Sequence, residues 1–293
     1  MVSVVTLTYN RAHLIEDTIR SVLAQDYTDF EYLIVDDGSE DPTEEVLRRI
    51  PDQRLRYFRL PHSGKISALR NFALKESKGE FIAFVDSDDV WESKKLSAQV
   101  RVMQTHPEVG FVFSDVMLMK NQAVHKKMNY SGKQIHSVPA YYFEAIMANR
   151  LAIYPSCILF RKAGIQEVGQ FNESMTGGDM DLITRVASRF KGLLLSEYLV
   201  QIKLHEGNHS LAHVLEAHSE RIDTLNYFHE RKMYSERLQY RKVMAFHYRA
   251  MGEKYLSMGD SRTARIYYWR SLLLNPLSPK GLAGWVQSTF RIG

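Results

Sequence analysis

Three carboxylates fall within four positions, Asp86-Ser87-Asp88-Asp89, directly after the apolar run Phe81-Ile82-Ala83-Phe84-Val85. Five consecutive apolar residues of this kind read as a strand buried on both faces, as in a parallel sheet. Anions gathered at the end of such a strand are costly unless solvent or a cation answers them, because like charges repel. The chemistry that would use them is a divalent ion, Mg2+ or Mn2+, holding a phosphorylated ligand. Such ions take hard oxygen donors, commonly one or two carboxylates, and fill the remaining positions with water and phosphate oxygens. The crevice beyond the carboxyl ends of strands is also where open α/β sheets bind ligands. Taken alone, the segment has a second reading, an acidic helix start with Asp89 or Ser93 as the cap.

The elements needed to hold such a cluster are legible upstream. Val2 to Leu7 is β-rich and runs into Thr8-Tyr9-Asn10, with Asn10 placed to cap a helix whose Ile15, Ile19, Val22 and Leu23 share one face. Phe30 to Val35 repeats the strand and ends in Asp36-Asp37-Gly38-Ser39. Asp41-Pro42-Thr43-Glu44 opens a helix through Ile50, as N-cap, N1 proline and N3 acid. Arg54–Leu60 then reads as a third strand and Lys65–Lys78 as a third helix, before the strand at Phe81. Strand and helix alternating at this spacing imply βαβ units with right-handed crossovers, so the carboxylates after the second and fourth strands emerge along one edge.

Farther on, Leu96, Val100 and Met103 mark a helix and Phe111–Met119 a strand, while residues 120–138 are polar and basic without a clear period. Pro139–Asn149 reads as helical, Ile153–Phe160 as extended, Met180–Phe190 as a helix and Val200–His205 as a last strand, followed by a loop over Glu206–Ser210. From about His213 only helical patterns remain. The chain has 293 residues, 45% of them hydrophobic, enough for one large domain or one domain and an appendage. A net charge of +4 is too mild to imply nucleic acid, although basic residues thicken toward the C-terminus. The one cysteine, Cys157, excludes an intramolecular disulfide framework and fits a reducing cytoplasm, with its own place expected in the core. The first residues enter a strand pattern rather than a signal peptide, and no apolar run approaches the roughly 20 residues that span a bilayer. A soluble or peripheral protein is the expectation.

In order, Thr8-Tyr9-Asn10, Val35-Asp36-Asp37-Gly38-Ser39, Asp86-Ser87-Asp88-Asp89, Gly169 with Phe171, and Gly178-Asp179 leading to Arg185 resemble the inverting nucleotide-sugar glycosyltransferases of family 2. The resemblance covers about the first 210 positions. It implies the GT-A fold, a Rossmann-like and mostly parallel α/β sheet flanked by helices, with a nucleotide-binding half near residues 1–115 and an acceptor half near 116–210. Asp37 then looks like the carboxylate that accepts from the base, usually uracil, whose imide N–H cytosine lacks; Thr8 and Tyr9 would line the same pocket. The alternative for Asp37 is a turn aspartate before Gly38. Asp88 resembles the metal ligand of the DxD element, with Asp86 on the ribose or a metal-bound water, and the ion, Mn2+ or Mg2+, would stabilise the departing diphosphate. Lys65 or Arg70 could add charge on the nucleotide side, or lie on a solvated helix face. Asp179 matches the general base that takes the acceptor hydroxyl's proton; its alternative is to cap the following helix, where Asp181 is the second acid or an acceptor contact. The commoner family motif is Glu-Asp, and Gly178 stands here in place of the glutamate. His205 sits where related transferases carry a histidine near the metal, otherwise a surface loop histidine, and His209 is a weaker candidate of the same kind. Trp91 is expected to pack beneath the donor site.

The implied partners are a nucleotide-sugar donor, most simply a UDP-sugar, and a glycan or lipid-linked acceptor of cell-surface polysaccharide synthesis, with no nucleic acid. Residues 211–293 form a helical extension in which Gly252, Tyr255, Gly259, Ala264, Tyr268 and Pro276 follow the spacing of one tetratricopeptide hairpin. One such unit cannot bury its own face, so it must pack on its neighbours or on a partner, a second copy included. The last segment, with Leu282, Trp285, Val286 and Phe290 between Lys280 and Arg291, would either dock on the chain itself or touch a membrane interface, consistent with a cytoplasmic enzyme peripheral to the inner face of the membrane. Nucleotidyltransferases would require a glycine-rich basic loop after the first strand, and Asn10-Arg11-Ala12-His13 is not one. A non-catalytic nucleotide-sugar scaffold is the remaining alternative; the joint presence of Asp37, Asp88 and Asp179 argues against it.

Overall fold

Strand β1 (Val2–Thr8) organises the first half of the sheet. It pairs in parallel with β2 (Phe30–Asp36) on one side and β4 (Phe81–Phe84) on the other, and β3 (Leu55–Arg59) lies parallel to β2. The three inner strands β1, β2 and β4 are largely apolar because both faces are covered: Val4, Val5, Leu33, Ile34, Ile82 and Ala83 are all buried. The computed structural model describes residues 1–130, 138–205, 213–234 and 237–290; the Glu206–Ser210 loop with His209, and Arg291, lie outside them. The chain forms two compact units, Met1–Tyr142 with Ala152–His205, and Phe143–Leu151 with Glu206–Gly293.

In the first unit the sheet continues as a mixed one. Strand β8 (Ile158–Arg161) runs antiparallel between β4 and β6 (Val109–Lys120), β9 (Lys191–Lys203) lies parallel to β6, and the two-residue β5 (Val90–Trp91) closes the far edge against β9. The order is β3-β2-β1-β4-β8-β6-β9-β5, with β7 (Ala123–Met128) paired to β6. Helices α1 (Ile15–Leu23), α2 (Thr43–Arg48), α3 (Ile66–Glu76) and α4 (Lys95–Thr105) are the expected crossovers. On α1, Ile15, Ile19 and Val22 are buried as their spacing requires. Asn10 does not cap that helix: it adopts a positive φ, and its side-chain oxygen accepts from the Glu40 N–H at 2.8 Å and the Asp41 N–H at 3.3 Å.

Hairpin β6–β7 falls where the sequence has no period. Its two-residue turn, Asn121-Gln122, has both residues at positive φ, the geometry that matches strand twist, while β7 is almost wholly exposed and so shows no alternation. Strand β9 also starts earlier than expected, directly after α7 (Asp179–Arg189), because Gly192, Leu193 and Leu194 bury against β6. Short helices α5 (Phe143–Met147) and α6 (Lys162–Val168) flank β8 in sequence.

The second unit is helical. Helices α8 (Val214–Glu230), α9 (Arg237–Ser257), α10 (Ser261–Leu274) and α11 (Pro279–Phe290) follow in order. Phe143 of α5 meets Phe228 edge-on at 5.0 Å, beside the buried Met147, Leu225 and Tyr234. Helices α9 and α10 form the expected hairpin, joined by Met258-Gly259-Asp260, with Asp260 capping α10 through the Thr263 N–H at 2.9 Å. Gly252 lets the buried Ala264 and Tyr268 approach α9, and Gly284 of α11 makes room for the Tyr268 ring. No helix among the described residues is long and apolar enough to cross a membrane.

A buried polar clasp ties β1, β2 and β3 at the amino end of the sheet. Glu31 accepts from the Ser3 hydroxyl at 2.6 Å, the Lys78 N–H at 2.5 Å and Arg56 at 2.6 Å. Burial acts to raise the Glu31 pKa, but these donors outweigh it and hold the carboxyl below its ordinary value. A depressed folded-state pKa contributes stability above the unfolded pKa, and that contribution is lost as pH falls through the folded value. Glu31→Gln is therefore expected to cost about 1–3 kcal/mol at pH 7 in urea unfolding, with the gap to the parent protein closing toward pH 3; a constant gap across that range would refute the clasp's charge dependence.

Candidate active site

Parallel pairing fixes which side chains share the carboxyl edge. With Thr8 level with Asp36 and Val5 level with Phe84, the residues that follow β1, β2 and β4 leave the sheet together. Asp36 is consumed by the fold: it accepts from the Ser39 N–H at 2.8 Å, the Ser39 hydroxyl at 2.7 Å and the Tyr57 hydroxyl at 2.6 Å. Asp37 faces the loop before α3. One oxygen accepts from the Ser63 N–H at 2.9 Å and the Ser63 hydroxyl at 3.0 Å, the other from the Gly64 N–H at 2.8 Å, with His62 Nδ1 at 2.8 Å. Tyr9 stacks on the His62 ring at 4.1 Å, forming one wall of this corner. Thr8 Oγ1 is buried there without a hydrogen-bond partner among the described residues, the kind of orphan a bound ligand would satisfy. Lys65 stands exposed just before α3, its backbone N–H donating to the Ser63 hydroxyl at 3.2 Å.

The acidic run after β4 splits by role. Asp89 is buried and structural: it accepts from the Ser156 hydroxyl at 2.5 Å and the Lys203 N–H at 3.3 Å, while its backbone carbonyl accepts from Thr18 at 2.7 Å. Burial, then the carboxylates of Asp86 and Asp88, raise its pKa well above the usual carboxylate range. Asp88 meets His205 Nε2 at 2.9 Å, two residues past the end of β9. Asp86 opens to the cleft; the crowding walls, and the carboxylates of Asp179 and Asp88, push its pKa up against the opposing pull of Arg70 and Arg11. Trp91 is core, its indole N–H donating to the Ser156 carbonyl at 3.0 Å and its ring under Lys95 Nζ at 3.8 Å.

Asp179 begins α7 and pairs with Arg70 of α3. The Arg70 guanidinium also donates to the Gly177 carbonyl at 2.8 Å and lies over the Phe171 ring at 5.2 Å and the Phe84 ring at 5.7 Å. The same cation also acts on Asp86, opposing the rise in its pKa. Gly178 has φ +67°, and a Cβ there would meet Ser67 Oγ at 3.0 Å, so this chain's loop disfavours the glutamate common in the family pattern. Asp181 is a structural partner, bonded to Arg185 Nε at 2.8 Å; Arg185 in turn donates to the carbonyls of Val168, Gly169 and Gln170.

Sequence reasoning did not find His62, Ser63 or Ser156. His62 and Ser63 lie in a loop whose spacing carries no period, and Ser156 serves two carboxylate-bearing residues 65 or more positions upstream, by its hydroxyl on Asp89 and as acceptor for the Asp86 N–H at 3.1 Å. The donor set fits a divalent cation: Asp88 offers an oxygen and His205 a nitrogen, with Asp86 close enough for the two acids to perturb each other. Among the described residues no third histidine, cysteine or carboxylate joins that pair in a preformed cluster, which leaves the remaining positions to water and phosphate oxygens.

The chain is similar in sequence to curated glycosyltransferases and in fold to solved ones. Over 124 residues, 42% of this chain and 49% of the relative, the chain is 34% identical to the Escherichia coli UDP-Glc:alpha-D-GlcNAc-diphosphoundecaprenol beta-1,3-glucosyltransferase WfgD. It is 38% identical over 121 residues to the putative teichuronic acid biosynthesis glycosyltransferase TuaG of Bacillus subtilis, 41% of this chain and 48% of that one. The chain thus spans about half the length of these curated relatives. Staphylococcus aureus TarS 1–349 in complex with UDP superposes with a TM-score of 0.65 at 18% identity, over 99% of this chain and 91% of that one. The mannosyltransferase PcManGT of Pyrobaculum calidifontis in complex with GDP-Man and Mn2+ superposes at 0.61 and 17%, over 99% and 84%. At these identities the structural likeness is one of fold, the GT-A arrangement with a mixed sheet and a C-terminal helical region. The Glycosyl transferase family 2 model matches residues 3–169, more than half of the chain, and the protein belongs to that family of glycosyltransferases.

Proposed function

We propose that this chain moves a sugar from a nucleotide diphosphate donor, with uridine the favoured base, to a hydroxyl of a glycan or lipid-linked acceptor, inverting the anomeric carbon, in the making of a cell-surface polysaccharide. The observation that carries the reading is that Arg70 pairs with Asp179 while the charges of Arg70, Asp179 and Asp88 all act on Asp86, so that these four groups share one neighbourhood. The names of WfgD and TuaG support the acceptor class, and the TarS and PcManGT complexes support a nucleotide donor and a divalent metal.

Asp37, with Thr8, Tyr9 and His62 around it, receives the base. Its carboxylate can accept from an imide N–H, which favours uracil over cytosine. Asp88 and His205 would hold Mn2+ or Mg2+, which when bound supplies Lewis-acid neutralisation of the diphosphate. Asp86 lies beside them toward the ribose. The acceptor hydroxyl attacks the anomeric carbon from the face opposite the diphosphate; as the new C–O bond forms, the bond to the leaving oxygen breaks and its electron pair departs on the diphosphate. The hydroxyl proton passes to Asp179, which Arg70 orients and fixes at the head of α7. The expected place of work is the cytoplasm, at the inner face of the membrane when the acceptor is lipid-linked.

Asp88→Ala and Asp179→Asn are each expected to lower transfer by about 10²–10⁴-fold with an unchanged circular dichroism spectrum; near-normal turnover by Asp179→Asn with the true acceptor would remove it as the base. In thermal-shift measurements uridine diphosphate with Mn2+ should raise the midpoint more than cytidine diphosphate does, because only ligands of the folded state stabilise it. Chelation should erase the gain in the parent protein, and Asp37→Ala should erase the preference for uridine. Equal shifts for both bases in the parent protein would discard the Asp37 assignment.

A further inference from the structure

Positive charge is concentrated in the helical unit. Residues 237–290 carry nine lysines and arginines against two acids, Glu253 and Asp260, in a chain whose net charge is only +4. The same segment exposes large apolar side chains: Trp269 (52%) and Leu273 (58%), one helical turn apart on α10, and Leu277 (91%) in the turn that follows. Next to that turn a cavity of about 480 Å³ is lined by Lys242, Phe246, Arg249, Ser271, Leu277 and Lys280, among others. Arg249 is paired with Glu253, so Lys242 and Lys280 are the exposed cations of its rim. The Trp269 ring meets Trp285 at 6.2 Å, which carries the apolar surface onto α11, where Leu282, Val286 and Phe290 are exposed at successive turns.

We propose that this face rests on an anionic phospholipid bilayer. Lipid phosphates sit against Lys242 and Lys280, and Trp269, Leu273 and Leu277 enter the boundary between headgroups and acyl chains. Exposed apolar area by itself would suit a second copy of the chain equally well. The charge decides between them: self-association would bring two strongly basic faces together, whereas the negative potential of an anionic leaflet attracts each lysine or arginine held near it. Because none of the helices described can span a bilayer, the contact is peripheral. It is also independent of the donor chemistry, since it involves no residue of the catalytic cleft.

The test uses the full chain without nucleotide, sedimented with vesicles of phosphatidylcholine alone or with phosphatidylglycerol added. Binding is expected only to the phosphatidylglycerol vesicles, falling with added salt. Lys242→Glu combined with Lys280→Glu should weaken it by about tenfold or more, and Leu273→Ser combined with Leu277→Ser should weaken it at unchanged melting temperature. In the parent protein tryptophan emission should shift to the blue on vesicle addition, and Trp269→Phe should diminish that shift. Equal binding to both vesicle types, or binding to neither, overturns the proposal. So does a dimer in sedimentation velocity that the two leucine substitutions convert to monomer.

Discussion

Everything at the cleft follows from crowding negative charge onto one rim of the sheet. Parallel strands on either side of β1 deliver Asp37 and the Asp86–Asp89 run to the same edge, and α7 brings Asp179 to face them. The fold answers each anion with a different partner: backbone N–H groups for Asp37, a serine hydroxyl for Asp89, an imidazole for Asp88, a guanidinium for Asp179. At Asp86, as at Asp89, burial and the neighbouring carboxylates raise the pKa, in the case of Asp86 against the pull of two arginines.

That sorting explains how much of the site could be read from sequence. The strand–turn–helix rhythm of the first 91 residues was legible because fully buried parallel strands have no polar face, and runs such as Phe81–Val85 stand out against their flanks. Asp37, Asp86 and Asp88 stood out as acids at strand ends, and Asp179 through its place in the ordered motifs of the family resemblance. Which donors hold each of two adjacent acids was not legible: Asp36 and Asp89 resemble their neighbours in sequence, and only Tyr57, Ser39 and Ser156, distant or unremarkable residues, engage their oxygens. Arg70 was likewise visible as a cation near the nucleotide side, but its pairing with Asp179 spans more than 100 positions that no local pattern connects.

The half of the sheet beyond β4 was harder for physical reasons. Strand β7 is exposed and lacks alternation, β8 is a four-residue insertion antiparallel to both neighbours, and β9 is long but interrupted by register shifts against β6. A buried lysine adds to this. Lys95, pressed against Trp91 and bonded to Gln99 at 2.8 Å, has its pKa lowered to about 7 by burial, and in a sequence it reads as an exposed helix start.

Helix α3 reaches across the chain to hold the loop before α7. The Ser67 hydroxyl donates to the Met175 carbonyl at 2.9 Å, Asn71 brackets Phe171 through both its backbone groups, and Arg70 takes Gly177 and Asp179. During synthesis, N-terminus first, the Asp37 corner and the acidic run leave the ribosome about a hundred residues before these clamps have anything to grip. A nascent chain stalled in that interval would hold α3 with its Ser67, Arg70 and Asn71 side chains turned toward a loop not yet made, so this clamp closes only late in synthesis.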